Sequence, residues 1–257
     1  MCESKNDSKT TVSKPSRSGL TVIELVVIVI VICVVIALLL PAVQRPRRGR
    51  RSPCKNNLHQ IVIALHNYHD VFDSFPPAYI VDDDGRPLYS WRVLILPYAD
   101  QQPLYDQLHL DEPWDSPHNR PLLDVEMPIF RCPSDKKETK GPRWGTNYVA
   151  VVGPETVWPT PAACRFEDVT DGDTQTILVV EVADSGIHWA EPRDVYLTQM
   201  APEVNAAEGM GLSSPHTSGM HVAFVDGSVR FISDETPRET LCALLTRAGG
   251  ETIEDDF

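Results

Sequence analysis

The sequence predicts an α+β protein, in which an N-terminal transmembrane helix precedes one domain with a helix packed on a mainly antiparallel sheet. Three observations carry this prediction. Residues 20–43 form an apolar run, residues 54–71 carry apolar side chains at helical spacing, and short β-rich segments separated by turn residues follow. No internal repeat is visible, and residues 54–257 are numerous enough to bury a core of their own.

The apolar run has the length of a membrane span. Glu24 is the only charged residue between Leu20 and Val43, and about 20 apolar residues cross a bilayer as a helix. A cleaved secretory signal has a shorter apolar core followed by small residues, which the sequence LLPA at 39–42 does not provide. We therefore expect a helix that is retained in the mature protein.

The net charge of the chain and the residues that follow the apolar run indicate possible partners, the orientation in the membrane and a linker. The formal net charge is -13, and so acidic a protein repels nucleic acid, which excludes nucleic acid as a partner. Residues 45–51, RPRRGRR, carry five arginines, which on the positive-inside rule would place the C-terminal side of the span in the cytoplasm. Proline and glycine predict that residues 44–53 form a linker that interrupts the helix. Its arginines either contact anionic headgroups or are simply solvated.

The body that follows has recognisable elements. Leu58, Ile61 and Leu65 predict a helix over 54–71. Residues 91–96 fit either a buried strand or a short helix. We expect a short strand in IFRCPSD (129–135) and strands within GTNYVAVVG (145–153) and at 176–182.

The C-terminal part predicts a hairpin and a helix. Asp226-Gly227 lies between two β-rich arms, which is a strong hairpin signal. Thr236 and Glu239 have the spacing of a capping box, with Pro237 at the first helical position and Gly249 as the end of the helix.

The residues around the start of the apolar run suggest a family. The stretch RSGLTVIE (17–24) resembles the cleavage site of type IV prepilins and type II secretion pseudopilins. The resemblance implies cleavage of residues 1–19 as a leader after Gly19, methylation of Leu20, and Glu24 as the fifth mature residue, with Pro41 at the family's proline position. A buried carboxylate is tolerable beside a cation, and in such filaments the cation is the N-terminal amine of a neighbouring subunit. Leu20 replaces the family's usual phenylalanine, and the alternative is a plain anchor with Glu24 at the headgroups.

This resemblance also implies a location and partners. The protein would cross the cytoplasmic membrane once, with its body facing the periplasm or the cell exterior, against the arginine count. Its partners would be a prepilin peptidase, the lipid bilayer and other pseudopilin subunits.

Blocks of the body extend the resemblance. CKNNLHQIVIALHNYHDVFDSFPP, SWRVLILPYADQQPLYDQ, RCPSD and DVTDGDTQTILVVE are similar to a large bacterial family of prepilin-like proteins of unknown function, which ends in an H-x9-D-G motif. Here His216, Asp226 and Gly227 fit that motif. The motif forms either a ligand or metal site at the mouth of the hairpin or, as we favour, a turn with His216 hydrogen-bonding its loop onto the sheet.

Four cysteines follow the span, and an even number outside the cytoplasm suggests disulfides. Cys54 and Cys132 lie in two of the family-like blocks, and we expect them to pair, with Cys164 and Cys242 as the other bridge. The sequence alone allows three pairings.

We expect no metal and no cofactor. His66 and His69 share a helix face, together with His59 on the same helix, but packing or polar roles are favoured over metal binding. Calcium at residues 82–84, or at Asp171 and Asp173, is an alternative to ordinary solvated turns.

The leading hypothesis is a pseudopilin-like structural protein, and the second is a membrane-tethered binding module that does not assemble. We do not expect an enzyme, because the sequence has no G-x-S-x-G, H-E-x-x-H or phosphate-loop motif. The remaining enzymatic alternative is a metal-dependent hydrolase that uses His216, His221 and Asp226.

Overall fold

A computed structural model describes residues 22–43, 52–135, 144–201, 203–205, 211–251 and 253 of the chain. For residues 33, 36–43 and 52 this description covers the backbone alone. The chain divides into two compact units, Met1–Arg47 and Arg48–Phe257.

The first unit contains one long helix, α1 (Val22–Val43), with Glu24 in its first turn. The large apolar side chains described along it are exposed on every face, with exposed fractions between 46% and 78%. No helix is long and apolar enough to cross a membrane within the described part of the chain. The predicted leader, Gly19 and Leu20, and linker residues 44–51 all lie outside the described residues.

The second unit contains helices and strands, most of which are short. Its helices are α2 (Ser52–Phe72), α3 (Trp91–Leu94), α4 (Gln102–Tyr105), α5 (Asn119–Leu123) and α6 (Arg238–Leu245). Its strands are β1 (Tyr79–Val81), β2 (Pro87–Ser90), β3 (Tyr148–Val149), β4 (Val151–Val152), β5 (Ile177–Glu181), β6 (Val195–Tyr196), β7 (Gly219–Phe224) and β8 (Val229–Ser233). Short 3-10 helices occupy Leu96–Ala99, Pro128–Phe130 and Phe166–Asp168.

The main sheet has four antiparallel strands in the order β3-β5-β7-β8. Val222 in β7 pairs with Val180 on one side and with Arg230 on the other. Strands β1 and β2 form a small antiparallel ribbon, while β4 and β6 are parallel over two residues each. The predicted α+β class with a mainly antiparallel sheet is therefore confirmed.

The sheet is covered on both faces. Side chains alternate along β7, so Ala223 packs in the core beneath α2 while Val222 and Phe224 face the opposite core. Helix α2 packs against β7 and β8, and α6 packs against β5. Because every residue of β5 and β7 is buried, any polar side chain on these strands must find partners inside the protein.

Helix α2 confirms the predicted helix and begins two residues earlier, at Ser52. Leu58, Ile61 and Leu65 form its buried stripe, and none of these side chains is exposed. Pro53 lies in the first turn, where its missing N–H costs no helical hydrogen bond.

Of two short segments, one settles an open alternative of the sequence analysis and the other contradicts its prediction. Residues 91–94 form the helix α3, whose N-cap Ser90 accepts a hydrogen bond from the Arg92 backbone N–H at 3.3 Å. The strand expected in IFRCPSD is wrong, because Pro128–Phe130 form a 3-10 helix with proline in its first turn. Proline cannot donate to a strand ladder, which favours the helical turn.

The predicted capping box of the last helix is also wrong. The N-cap of α6 is Pro237, with no capping side-chain hydrogen bond, and the helix ends at Leu245, before Gly249. Thr236 instead continues the turn after β8, where its N–H donates to the carbonyl oxygen of Ser233.

The hairpin turn is confirmed at Asp226-Gly227, between β7 and β8. The Asp226 Oδ1 atom accepts a 2.8 Å hydrogen bond from the Ser228 N–H, and Gly227 has a φ of +86°, which favours glycine. A Cβ at this position would lie 3.3 Å from the ring of His66 on α2. The turn therefore lies closely against that helix.

A buried ion pair joins Arg92 on α3 to Asp194, the residue before β6. The Arg92 guanidinium forms a salt bridge with Asp194 and donates through Nε to the Tyr148 carbonyl oxygen at 3.0 Å. Asp194 Oδ1 also accepts from the Ala150 N–H at 2.8 Å. Both charged side chains are almost completely buried, and a buried charge without a partner is costly.

We predict that Asp194→Ala lowers the free energy of unfolding by about 3–5 kcal/mol, because it leaves the Arg92 charge buried without its partner. Urea denaturation followed by tryptophan fluorescence measures this, since all five tryptophans lie in the body. The control is Asp84→Asn, which removes an exposed pair with Arg86 and should leave the midpoint unchanged. Equal effects of the two substitutions would contradict the analysis.

His188 is another buried titratable group, separate from the Arg92–Asp194 pair. Its ring stacks on Trp114 with 4.7 Å between centroids, and its Nδ1 accepts from the Ala190 N–H at 3.2 Å. Burial lowers the pKa of His188 from 6.5 to about 4. The folded protein therefore resists protonation of this ring at pH values where the unfolded chain accepts the proton.

We predict that the contribution of His188 to stability is full above pH 6.5 and is lost progressively as the pH falls from 6.5 toward 4. His188→Gln should flatten the dependence of the free energy of unfolding on pH in this window. Urea denaturation at several pH values tests this, with His118→Gln, at an exposed position, as the control. A slope that is unchanged in His188→Gln would refute the assignment.

Candidate functional site

A disulfide connects the start of α2 to the loop after the 3-10 helix Pro128–Phe130. Cys54 and Cys132 form this bond, as predicted; their Cα atoms are 5.0 Å apart and the two residues are 78 positions apart in the sequence. Neither residue is exposed. The bond fixes the first turn of α2 against a loop that is distant in the sequence.

Hydrogen bonds from two side chains support this junction on the side of α2. The Asn57 Nδ2 group donates to the carbonyl oxygens of Pro128 and Arg131, at 2.9 and 2.8 Å. The Tyr148 hydroxyl donates to the Cys54 carbonyl oxygen at 3.2 Å. The helix start, the loop and strand β3 are thus held together by polar contacts as well as by the disulfide.

Asn147 stabilises the same junction through hydrogen bonds with the loop that contains Cys132. Its Oδ1 accepts from the Cys132 N–H at 2.9 Å, and its Nδ2 donates to Asp135 Oδ2 at 2.7 Å and to the Val182 carbonyl oxygen at 3.0 Å. Asn147 is nearly completely buried. A single amide therefore ties the Cys132 loop to the end of β5.

Three further polar side chains surround the disulfide. Glu181 is the last residue of β5, and His221 lies on β7 on the same face of the sheet, beneath α2. His216 lies in the loop before β7, with Nε2 3.4 Å from Glu181 Oε1 and 3.8 Å from Cys132 Sγ. The Nδ1 atom of His221 is 3.8 Å from Glu181 Oε2.

The electrostatics of this cluster centre on Glu181, whose side chain is fully buried. Burial alone would raise the pKa of Glu181, but its interactions with His216 and His221 outweigh burial and hold the pKa below its usual value. The His221 backbone N–H donates to Oε2 at 3.1 Å. Among the described residues, neither Glu181 Oε1 nor the Nδ1 atom of His221 forms a hydrogen bond.

Four potential ligand atoms meet in this cluster. The sulfurs of Cys54 and Cys132, a Glu181 oxygen and a His216 nitrogen all lie within 4.8 Å of one another. Among the residues that the structure describes, this is the one group of three or more such side chains that comes together. The sequence analysis expected no metal-type cluster and did not identify this one.

The H-x9-D-G motif does not form one site. His216 precedes β7 and Asp226 follows it, so the two residues lie at opposite ends of a six-residue strand. His216 contacts Glu181 in the interior, and Asp226 shapes the hairpin turn. The alternatives that placed His216 and Asp226 in a shared ligand site, or in a catalytic site with His221, are therefore wrong.

The predicted second disulfide is also wrong, because Cys164 and Cys242 are free thiols. Cys164 is buried in the core beneath α2, and its carbonyl oxygen accepts from the Phe75 N–H. Cys242 lies on α6, which packs in the core on the opposite face of the sheet. The two thiols belong to different sides of the molecule.

The other histidines and aspartates singled out in the sequence have local partners. His66 Nε2 lies 2.8 Å from the Val225 carbonyl oxygen, and His69 packs between Phe75 and Phe166. Asp82 and Asp84 form exposed ion pairs with Arg86. The carboxylate of Asp171 accepts from the N–H groups of residues 249 and 250.

Sequence reasoning missed Glu181 altogether. A signal was present, because Glu181 is an isolated acid within the apolar run ILVVEVA (177–183). A charged residue within a buried strand requires a buried partner. Its partners lie 35 and 40 positions away, so the sequence could indicate a buried acid but not the histidines that surround it.

Comparison with known families gives one result. The family described as "Protein of unknown function (DUF1559)" matches residues 44–194 and 183–239, which together span most of the chain. No curated protein and no solved structure matches the chain.

We predict that the double variant Cys54→Ala/Cys132→Ala loses about 4 kcal/mol of unfolding free energy, because the disulfide closes a loop of 78 positions. Urea denaturation with tryptophan fluorescence measures the loss. Cys242→Ser, at a free thiol, is the control and should have little effect. A double variant as stable as the oxidised wild type would contradict the role of this bond.

Proposed function

We propose that this chain, which belongs to the DUF1559 family of proteins of unknown function, is a prepilin-like structural protein. A prepilin peptidase cleaves it after Gly19, and a helix over residues 20–43 anchors it in the cytoplasmic membrane. The body faces the periplasm or the cell exterior, where it joins other subunits of a type II secretion or type IV pilus-like assembly. Its role is structural rather than enzymatic.

The observation that carries this proposal is the exposed apolar surface of α1. Valine, leucine and isoleucine side chains are exposed around the whole circumference of this helix. A helix that is apolar on every face is stable where lipid or other helices cover it, and an uncovered apolar surface of this kind favours association. The proposed anchor, residues 20–43, includes positions outside the described residues.

Two further features agree with the proposal. The Cys54–Cys132 disulfide suits an oxidising compartment, which is where the body would reside. Glu24 lies in the first turn of α1, four positions after Leu20, whose amine cleavage after Gly19 would free. In an assembly, the amine of a neighbouring subunit would serve as a counter-ion for this carboxylate.

Processing and assembly can be tested in one host that contains a prepilin peptidase. We predict that the wild-type chain is shortened by its leader and that Gly19→Val remains full length, whereas Ser18→Ala is processed. The measurement is the mass of the chain recovered from membranes. A wild-type chain and a Gly19→Val chain of equal, unprocessed length would contradict the proposal.

Assembly is tested separately, with Glu24→Gln and Glu24→Asp. The first variant removes the negative charge and should abolish chemical cross-linking between neighbouring copies, while the second keeps the charge and should retain it. Cross-linking that is absent from the processed wild type would favour the tethered module that does not assemble. Equal cross-linking in wild type and Glu24→Gln would contradict the proposed charge pairing.

A further inference from the structure

We propose that Cys54 and Cys132, in their dithiol form, complete a four-ligand zinc site with His216 and Glu181. The site lies within the body, and the inference is independent of the proposed anchor and assembly. In the disulfide form the two sulfurs are bonded to each other, so the site binds zinc in the reduced protein only. The disulfide and the zinc ion are alternative links at the same junction.

The spacing of the four side chains fits one metal ion. A tetrahedral zinc ion with bonds of about 2.0–2.3 Å holds its ligand atoms roughly 3.3–3.8 Å apart. The nitrogen of His216 is already 3.4 Å from Glu181 Oε1 and 3.8 Å from Cys132 Sγ. All four ligand atoms lie within 4.8 Å of one another, so on reduction the main change required is separation of the two sulfurs.

The chemical types of the ligands also fit zinc. Cysteine thiolate, histidine nitrogen and glutamate oxygen are the groups that bind Zn²⁺ in proteins, and four protein ligands characterise a closed, structural site. All four residues here are buried. Two thiolates, one carboxylate and a neutral imidazole around a divalent cation leave a net charge of only -1, compared with -3 without the metal.

An independent observation points to a ligand. Glu181 Oε1 is buried and lies 3.4 Å from His216 Nε2, but it forms no hydrogen bond among the described residues, which is costly for a buried carboxylate oxygen. A metal ion at the centre of the cluster would satisfy this oxygen. The other oxygen, Oε2, accepts from the His221 backbone N–H, so the carboxylate is held with Oε1 toward His216 and the disulfide.

Neighbouring groups hold the ligands in place. The Asn147 amide fixes the Cys132 backbone, and the Tyr148 hydroxyl fixes that of Cys54. Such outer contacts orient metal ligands and tune their affinity. These contacts do not involve the sulfur–sulfur bond, so we expect them to persist when the disulfide opens.

The loop that carries His216 offers a route for the ion. His216 is buried, but its neighbours Pro215 and Thr217 are exposed. The loop therefore reaches the surface on both sides of His216, beside the cluster. Displacement of this loop would break the hydrogen bond from the Ser213 N–H to the Glu181 carbonyl oxygen and the one from the Ser214 hydroxyl to the Gly219 carbonyl oxygen.

Reduction of the disulfide must precede zinc binding. A dithiol reductant gives two electrons and two protons to the disulfide, and is itself oxidised to a disulfide while the Cys54–Cys132 bond breaks into two thiols. Zinc then binds as the two thiols release two protons. A disulfide oxidant would reverse this order: it accepts two electrons from the zinc-bound thiolates and, with two protons, becomes two thiols, while re-forming the Cys54–Cys132 bond removes two ligands and releases the ion.

The test uses the full chain in detergent, reduced with a phosphine, which becomes the phosphine oxide as water supplies its oxygen. Cobalt(II) serves as a spectroscopic probe for zinc. We expect one cobalt per chain with sulfur-to-cobalt charge-transfer absorption, displacement of cobalt by zinc, and no such absorption in the oxidised chain. A folded reduced chain without this absorption would overturn the proposal.

Matched variants locate the site. His216→Ala and Glu181→Gln should each weaken zinc binding by about 100-fold or more, since removal even of an outer-shell partner costs roughly 10–100-fold. His109→Ala and Glu112→Gln alter an exposed His–Glu contact of 3.1 Å and should leave affinity unchanged. Cys242→Ser, which removes a free thiol outside the cluster, should also leave it unchanged.

Stability provides a readout that does not depend on the variants. Zinc should raise the unfolding midpoint of the reduced wild-type body, measured by tryptophan fluorescence, and should not affect the oxidised chain. If reduction unfolds the body and zinc fails to restore the native fluorescence, the proposal is wrong. Zinc affinity that is the same in wild type, His216→Ala and Glu181→Gln would also overturn it.

Discussion

The bond between Cys54 and Cys132 is the constraint on which the arrangement of the body depends. It fixes the first turn of α2 to a loop 78 positions away, and α2 in turn covers one face of the main sheet. Asn57 and Tyr148 add hydrogen bonds at the same junction. Because the disulfide excludes many unfolded conformations of this long loop, it stabilises the domain chiefly by raising the free energy of the unfolded chain.

Burial of the sheet on both faces explains the polar arrangements inside the body. Glu181 lies among buried strands, and its charge is tolerated because His216 and His221 contact it. The buried charges of Arg92 and Asp194 compensate each other through a direct salt bridge. A buried charge specifies which elements must meet, since removing one partner leaves the other uncompensated. The cluster beside the disulfide thus combines a structural role with the donor atoms of a metal site.

The sequence predicted the elements that have strong local signals. The apolar stripe of α2, strand β5 and the Asp226-Gly227 turn each depend on periodicity or turn chemistry within a short window, and all three are present. Residues 91–94 were ambiguous because a short apolar run lacks a period. The Cys164–Cys242 pairing failed because it followed from elimination, and the meeting of Glu181 with His216 depends on tertiary contacts that no local pattern encodes.

Intact mass and N-terminal sequencing of the protein extracted from native membranes would test whether the N-terminal segment is processed as a prepilin. We expect a chain that begins at N-methylated Leu20, with residues 1–19 removed. A chain that still carries residues 1–19 would contradict it. In that case Glu24 would have no nearby N-terminal amine from a neighbouring copy, and the basic flank at 45–51 would again favour a cytoplasmic location for the body.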